Sequence, residues 1–88
     1  MEEYKVISST TLTEVEQQIY QNSYGVIIKT ILLHANGSEN AKATLSFDGV
    51  AFNFDLTSDT KVISTPIFAK VIKASGNGVN IHITGLQL

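Results

Sequence analysis

Apolar and polar residues alternate along much of this chain, in short runs closed by turn residues. Alternation of that period marks strands with one buried face. The clearest case surrounds Asp48-Gly49. Asp-Gly favours a type I′ turn, because both central residues need positive φ. A two-residue loop sets Phe47 opposite Val50, Leu45 opposite Phe52 and Ala43 opposite Phe54 on one side. The other side pairs Ser46 with Ala51, Thr44 with Asn53 and Lys42 with Asp55. Turn chemistry and face pattern agree on a hairpin whose three phenylalanines belong to the core.

Residues 26–34 read Val-Ile-Ile-Lys-Thr-Ile-Leu-Leu-His, with apolar residues at both parities. The pattern predicts a central strand covered on both faces, or on one face by another subunit. Its β-branched density and the Ala35-Asn36-Gly37-Ser38 turn that follows favour strand over buried helix. Near the C-terminus, Val79, Ile81 and Ile83 share one face, and Asn80, His82 and Thr84 share the other. Residues 70–74 precede that strand across Ser75-Gly76-Asn77-Gly78. A turn at Asn77-Gly78 places Ala74 opposite Ile81, and one at Gly76-Asn77 places Ile72 there; the sequence leaves both registers open. Residues 4–8 and 61–64 are shorter strand candidates. Leu12, Val15 and Ile19 have helical spacing, and Thr13-x-x-Glu16 matches a capping box, so residues 13–20 are a candidate short helix beside a strand alternative.

Seven or so short strands with this spacing predict an all-β fold: one antiparallel β-sandwich domain, jelly-roll-like, over residues 1–88. A domain of this length buries only about 60–65% of its unfolded surface. Cysteine is absent, so no disulfide or thiolate chemistry adds constraint, and oligomerisation is a common remedy. The formal net charge is −2, and all six basic residues are Lys. Without Arg there is no bidentate fork for phosphate or guanine, so a nucleic-acid partner is not expected. No apolar run reaches the roughly 18–20 residues of a membrane-spanning helix, and membrane insertion is not expected. The acidic start Met1-Glu2-Glu3-Tyr4-Lys5 is unlike the basic start of a signal peptide.

The stretch Tyr24-Gly25-Val26-Ile27-Ile28-Lys29-Thr30-Ile31-Leu32-Leu33-His34-Ala35-Asn36 is a hydrophobic strand ending in a small residue and Asn. A polar turn and Ala43-Thr44-Leu45-Ser46-Phe47-Asp48-Gly49 follow, and the chain closes with a Gly-rich turn before residues 79–88. Over residues 18–88 this order resembles small β-sandwich virion proteins of tailed phages, notably tail- or baseplate-associated proteins of phages infecting Gram-positive bacteria. The resemblance implies a structural or accessory role in a symmetric assembly. It implies contacts with other virion proteins, a homo-oligomer (trimer or hexamer), and residence in the virion or, during assembly, in the host bacterial cytoplasm. It brings no catalytic residues and no cofactor.

Chemistry read from the residues points the same way. His34 and His82 lack ligand spacing, and with Asp48, Asp55 or Asp59 they make no recognisable metal motif. They read as unrelated surface or interface histidines. Glu14 and Glu16 read as a solvated face or a helix N-terminus rather than paired catalytic carboxylates. The Ser and Thr residues lack a nucleophile elbow, and Gly76-Asn77-Gly78 precedes no helix that could hold a phosphate. No enzyme activity, metal or cofactor is expected. Apolar residues in surplus of one inward face nominate Val26, Ile28, Leu32, Ile63, Ile67, Leu86 and Leu88 as a shared interface. An alternative is a carbohydrate-binding module, with Tyr20, Asn22 and Tyr24 as glycan contacts; a transient tail-assembly chaperone is another.

Overall fold

The structure, a computed structural model, describes residues 4–35, 41–56 and 60–88. They form strands β1 (Lys5–Thr11), β2 (Gln17–His34), β3 (Ala41–Phe47), β4 (Val50–Leu56), β5 (Thr60–Ile63), β6 (Ile67–Gly76) and β7 (Asn80–Gln87). All pairings are antiparallel, in the order β1-β7-β2-β6-β3-β4, with β5 also on β2. The all-β fold expected from the alternation is therefore present. The Asn36-Gly37-Ser38 turn and Asp59 lie outside the described residues.

The 18-residue β2 organises the sheet. Its N-terminal part pairs with β6, and its C-terminal part pairs with β7 on one edge and β5 on the other. The seven strands form one antiparallel sheet around one aliphatic core, as in a small sandwich or barrel-like domain. Val26, Ile28, Ile31, Leu33, Leu45, Ile72, Val79, Ile81 and Ile83 are fully buried there. Each large aliphatic side chain contributes about 1.5–3 kcal/mol on leaving water.

The two apolar parities of residues 26–34 have a cause other than the expected double cover. Between Ile28 and Thr30 the pairing with β7 slips by a residue, from Ile28↔Gly85 to Thr30↔Thr84. Lys29 is the extra residue, and it projects outward with its Nζ 5.8 Å from the centre of the Tyr4 ring. The bulge changes the phase of the strand. Val26 and Ile28 before it, and Ile31, Leu33 and Ala35 after it, all enter the same core.

The Asp48-Gly49 hairpin has the expected register at every pair from Ala41↔Leu56 to Phe47↔Val50. Asp48 and Gly49 have φ of 53° and 89°, as a type I′ turn requires. Asp48 has a second task. Its Oδ1 accepts the N–H groups of Lys70 (2.8 Å) and Val71 (2.9 Å), and its own N–H donates to the Val71 carbonyl (2.9 Å). Two successive N–H groups converging on one oxygen mark an irregular point in β6. Across it the core-facing positions change from Ile67 and Ala69 to Ile72 and Ala74.

Two local expectations are corrected. Residues 13–20 form no helix: 12–16 are an irregular bend, and Gln17 already pairs with Ala74. Here the Thr13 hydroxyl accepts from Gln17 Nε2 at 2.9 Å instead of capping a helix. Pairing with β6 outweighs a weak local helix preference. Residues 74–81 form no hairpin in either register. β6 and β7 flank β2 on opposite edges, so the Gly-rich segment is a crossover. Among the described strands, only β3 and β4 are sequence neighbours that pair.

Candidate functional site

The most distinctive surface is an apolar cleft of about 470 Å³, lined by Phe47, Val50, Phe52, Phe54, Ile63, Ile67 and Phe68. All four phenylalanines of the chain are in this lining, whereas the buried core is aliphatic. The register explains the opening. Leu45 and Phe52 are directly paired on the inner face, yet Leu45 is buried and Phe52 is 50% exposed. Cover therefore ends between β3 and β4. Val50 and Phe68 are likewise more than half exposed. The Phe47 and Phe52 rings stay in tilted contact, with centroids 6.0 Å apart at 45°. The hairpin phenylalanines are thus not the closed core expected from sequence: Phe47 and Phe54 are half-buried, and Phe52 is open. No polar or ionisable side chain lines the cleft. A small-molecule site normally adds a few polar groups to fix its ligand's orientation. This lining suits the apolar side chains of another polypeptide.

The seven nominated interface residues do not form one surface. Val26 and Ile28 are fully buried within the single chain, which corrects their nomination; the Lys29 bulge accounts for the apparent surplus. Ile63 and Ile67 line the cleft. Leu32 is 39% exposed on another face, Leu86 is half-buried opposite Ile27, and the exposed Leu88 donates its N–H to the Gly25 carbonyl. What sequence reasoning missed is Val50, Phe52 and Phe68. For Val50 and Phe52 a signal was present in the alternation of residues 50–54, but their exposure follows from the edge position of β4, which only the topology reveals; Phe68 lies on β6, between Ile67 and the buried Ala69.

A shallower groove of about 300 Å³ lies on the outer face of β1, β7 and β2 and includes Leu32, His34, Asn80 and His82. The pairs Leu32↔His82 and His34↔Asn80 bring together two histidines that had seemed unrelated. The His34 Nδ1 lies 3.2 Å from the Thr60 hydroxyl and the His82 Nδ1 3.3 Å from the Ser9 hydroxyl. Among the described residues, no group of three or more His, Asp or Glu side chains is placed to hold a metal ion. Asp48 is engaged with β6: the Val71 N–H, then the Lys70 N–H, hold its carboxyl below the ordinary value of 3.8.

Tyr20, Asn22 and Tyr24 do cluster, in a stretch of β2 where pairing with β6 skips from Gln21 to Val26. Asn22 Nδ2 donates to the Tyr20 hydroxyl at 3.3 Å, and the Tyr24 N–H donates to Asn22 Oδ1 at 2.9 Å. Tyr20 is half-buried, while Tyr24 is 78% exposed. Among the described residues, no helix is long and apolar enough to cross a membrane. Neither the protein-family models nor the curated proteins contain a match to this chain.

Proposed function

We propose that this chain is a non-catalytic structural or accessory protein of a tailed-phage virion, associated with the tail or baseplate. In this reading it acts through contacts with other virion proteins and with copies of itself. The phage assignment rests on the sequence resemblance. The contact mechanism rests on one observation: the chain's phenylalanines surround an open cleft lined by no polar side chain. Exposed apolar surface of that continuity marks a site of protein association in soluble domains.

The test is mass spectrometry of purified phage particles from the source, joined to capture of particle proteins on the immobilised chain. The polypeptide is expected in particles at a fixed copy number, with a specific virion protein retained and then lost with Phe52→Ser. Presence during infection but absence from mature particles would replace the structural role with a chaperone role. Failure to link the chain to any particle would refute the phage reading. The exposed Tyr24 ring beside Asn22 favours glycan binding as a second reading. Folded protein that binds no host cell wall would exclude it.

A further inference from the structure

Three described strands, β1, β4 and β5, have one pairing partner each and so present a sheet edge. Soluble proteins blunt such edges with bulges, short strands, Lys or Pro. Two of these edges are blunted. β1 begins with Lys5 and has an irregular register between Val6 and Ser8. β5 is four residues long, contains Lys61 and is followed by Pro66. Among the described residues, β4 has no bulge, Lys or Pro, and it is not short. Its seven residues, Val-Ala-Phe-Asn-Phe-Asp-Leu, run in unbroken register with β3, and Asp55 is their single charge. This unguarded edge borders the phenylalanine cleft.

We infer that β4 pairs antiparallel with β4 of a second copy about a two-fold axis at Asn53, joining two sheets and covering both clefts. This deepens the oligomer part of the proposed function and rests on that reading. The backbone supports this occupant. In a two-residue hairpin the pair beside the turn exchanges hydrogen bonds, and so does every second pair beyond it. Phe47↔Val50, Leu45↔Phe52 and Ala43↔Phe54 are those pairs, so Ala51, Asn53 and Asp55 direct their N–H and C=O groups to the open edge. Asn53 is the middle residue of β4, and pairing about it matches all seven positions. Phe52 then faces the partner subunit's Phe54. Asp55 faces the partner subunit's Ala51, so no like charges meet.

The area is sufficient. Phe52 and Phe68, at 50% and 52% exposure, each present about 100 Å² of ring surface. Val50, at 59%, presents somewhat less. Two copies therefore offer roughly 600 Å² of apolar surface. With the usual apolar share near 57%, that corresponds to about 1,000 Å² in total, the lower bound for a specific interface.

Sedimentation and native mass spectrometry of the full chain test the pairing, together with two variants. The native chain is expected at twice its 9.5 kDa mass. Ala51→Pro removes an N–H that points away from β3, so the hairpin is kept while the mass halves. Asn53→Cys places a thiol opposite its own copy at about 5.5 Å between Cα atoms, within disulfide range, so mild oxidation crosslinks it. Val62→Cys, exposed on β5, does not crosslink. A native chain that stays monomeric at all concentrations overturns the inference. So does a dimer that survives Ala51→Pro while Asn53→Cys fails to crosslink. A monomer still retained by a virion protein refutes this pairing alone, whereas a dimer found in no particle refutes the phage role alone.

Discussion

Gly85→Ala tests the closest approach in the sheet. Gly85 pairs with Ile28 of β2 and with Lys5 of β1. A Cβ at this position would lie 2.3 Å from the Ile27 carbonyl oxygen and 3.0 Å from the Ile28 Cα. Both are backbone atoms, so no side-chain rotation relieves the clash. Restoring normal contact moves β7 from β2 by roughly 1 Å, which stretches the flanking ladder bonds past useful length. Losing about two such bonds costs ~2 kcal/mol, and overpacking adds about 1–3 kcal/mol. The reduced freedom of the unfolded chain returns about 0.4–1 kcal/mol. A net loss of about 2–4 kcal/mol is a large part of the roughly 4–13 kcal/mol available to a domain of this size. Followed by far-UV circular dichroism, the melting midpoint should fall by about 10–25 °C. Gly49→Ala is the comparison: nothing lies within 4 Å of its Cβ, but φ is +89°. It should cost only about 1–2 kcal/mol, from backbone strain. If Gly85→Ala melts within about 3 °C of the parent, the close contact between β7 and Ile27 is wrong.

Three further outcomes are expected. Ile31→Ala should cost about 2–5 kcal/mol in urea titrations and Leu32→Ala less than about 1 kcal/mol. Equal losses would contradict the phase change at Lys29. The Asp48 carboxyl is held below its ordinary value, so its contribution is present above pH 3.8 and is lost as pH falls through its folded-state pKa. Asp48→Asn should flatten the acid side of the stability profile, and an unchanged profile would remove the role given to its contacts with Lys70 and Val71. Tyr24→Ala, at a 78% exposed position, should leave the melting midpoint within the change produced by about 0.5 kcal/mol. A glycan-array signal that disappears in that variant would establish the carbohydrate reading.

The local parts of the fold were legible because short-range chemistry dictates them. Asp48-Gly49 specifies its turn, and the turn fixes each pair from Phe47↔Val50 outward. The two faces of residues 79–84 follow from simple alternation. The bulge at Lys29 was not legible. One extra residue exchanges the faces of a strand, and residues 26–34 look the same whether doubly covered or phase-shifted. The Gly76-Asn77-Gly78 segment reads like a hairpin turn, yet it serves a crossover because β2 takes the place between β6 and β7. The cleft was half legible. Ile63 and Ile67 were nominated by apolar surplus, whereas Phe52 looked like core until the end of the covering layer was known.

The long-range order of the strands also has a consequence in time. β1 is synthesised before the other described strands, but its partner is β7, made after all of them. The C-terminal half of β2 likewise waits for β5 and β7, and only the β3–β4 hairpin can close soon after it emerges. A nascent chain of this protein therefore carries its unpaired β1 and the apolar half of β2 until β7 has been made. Those segments stay exposed until residues 80–85 arrive, and a chain interrupted before Asn80 would leave β1 without its partner.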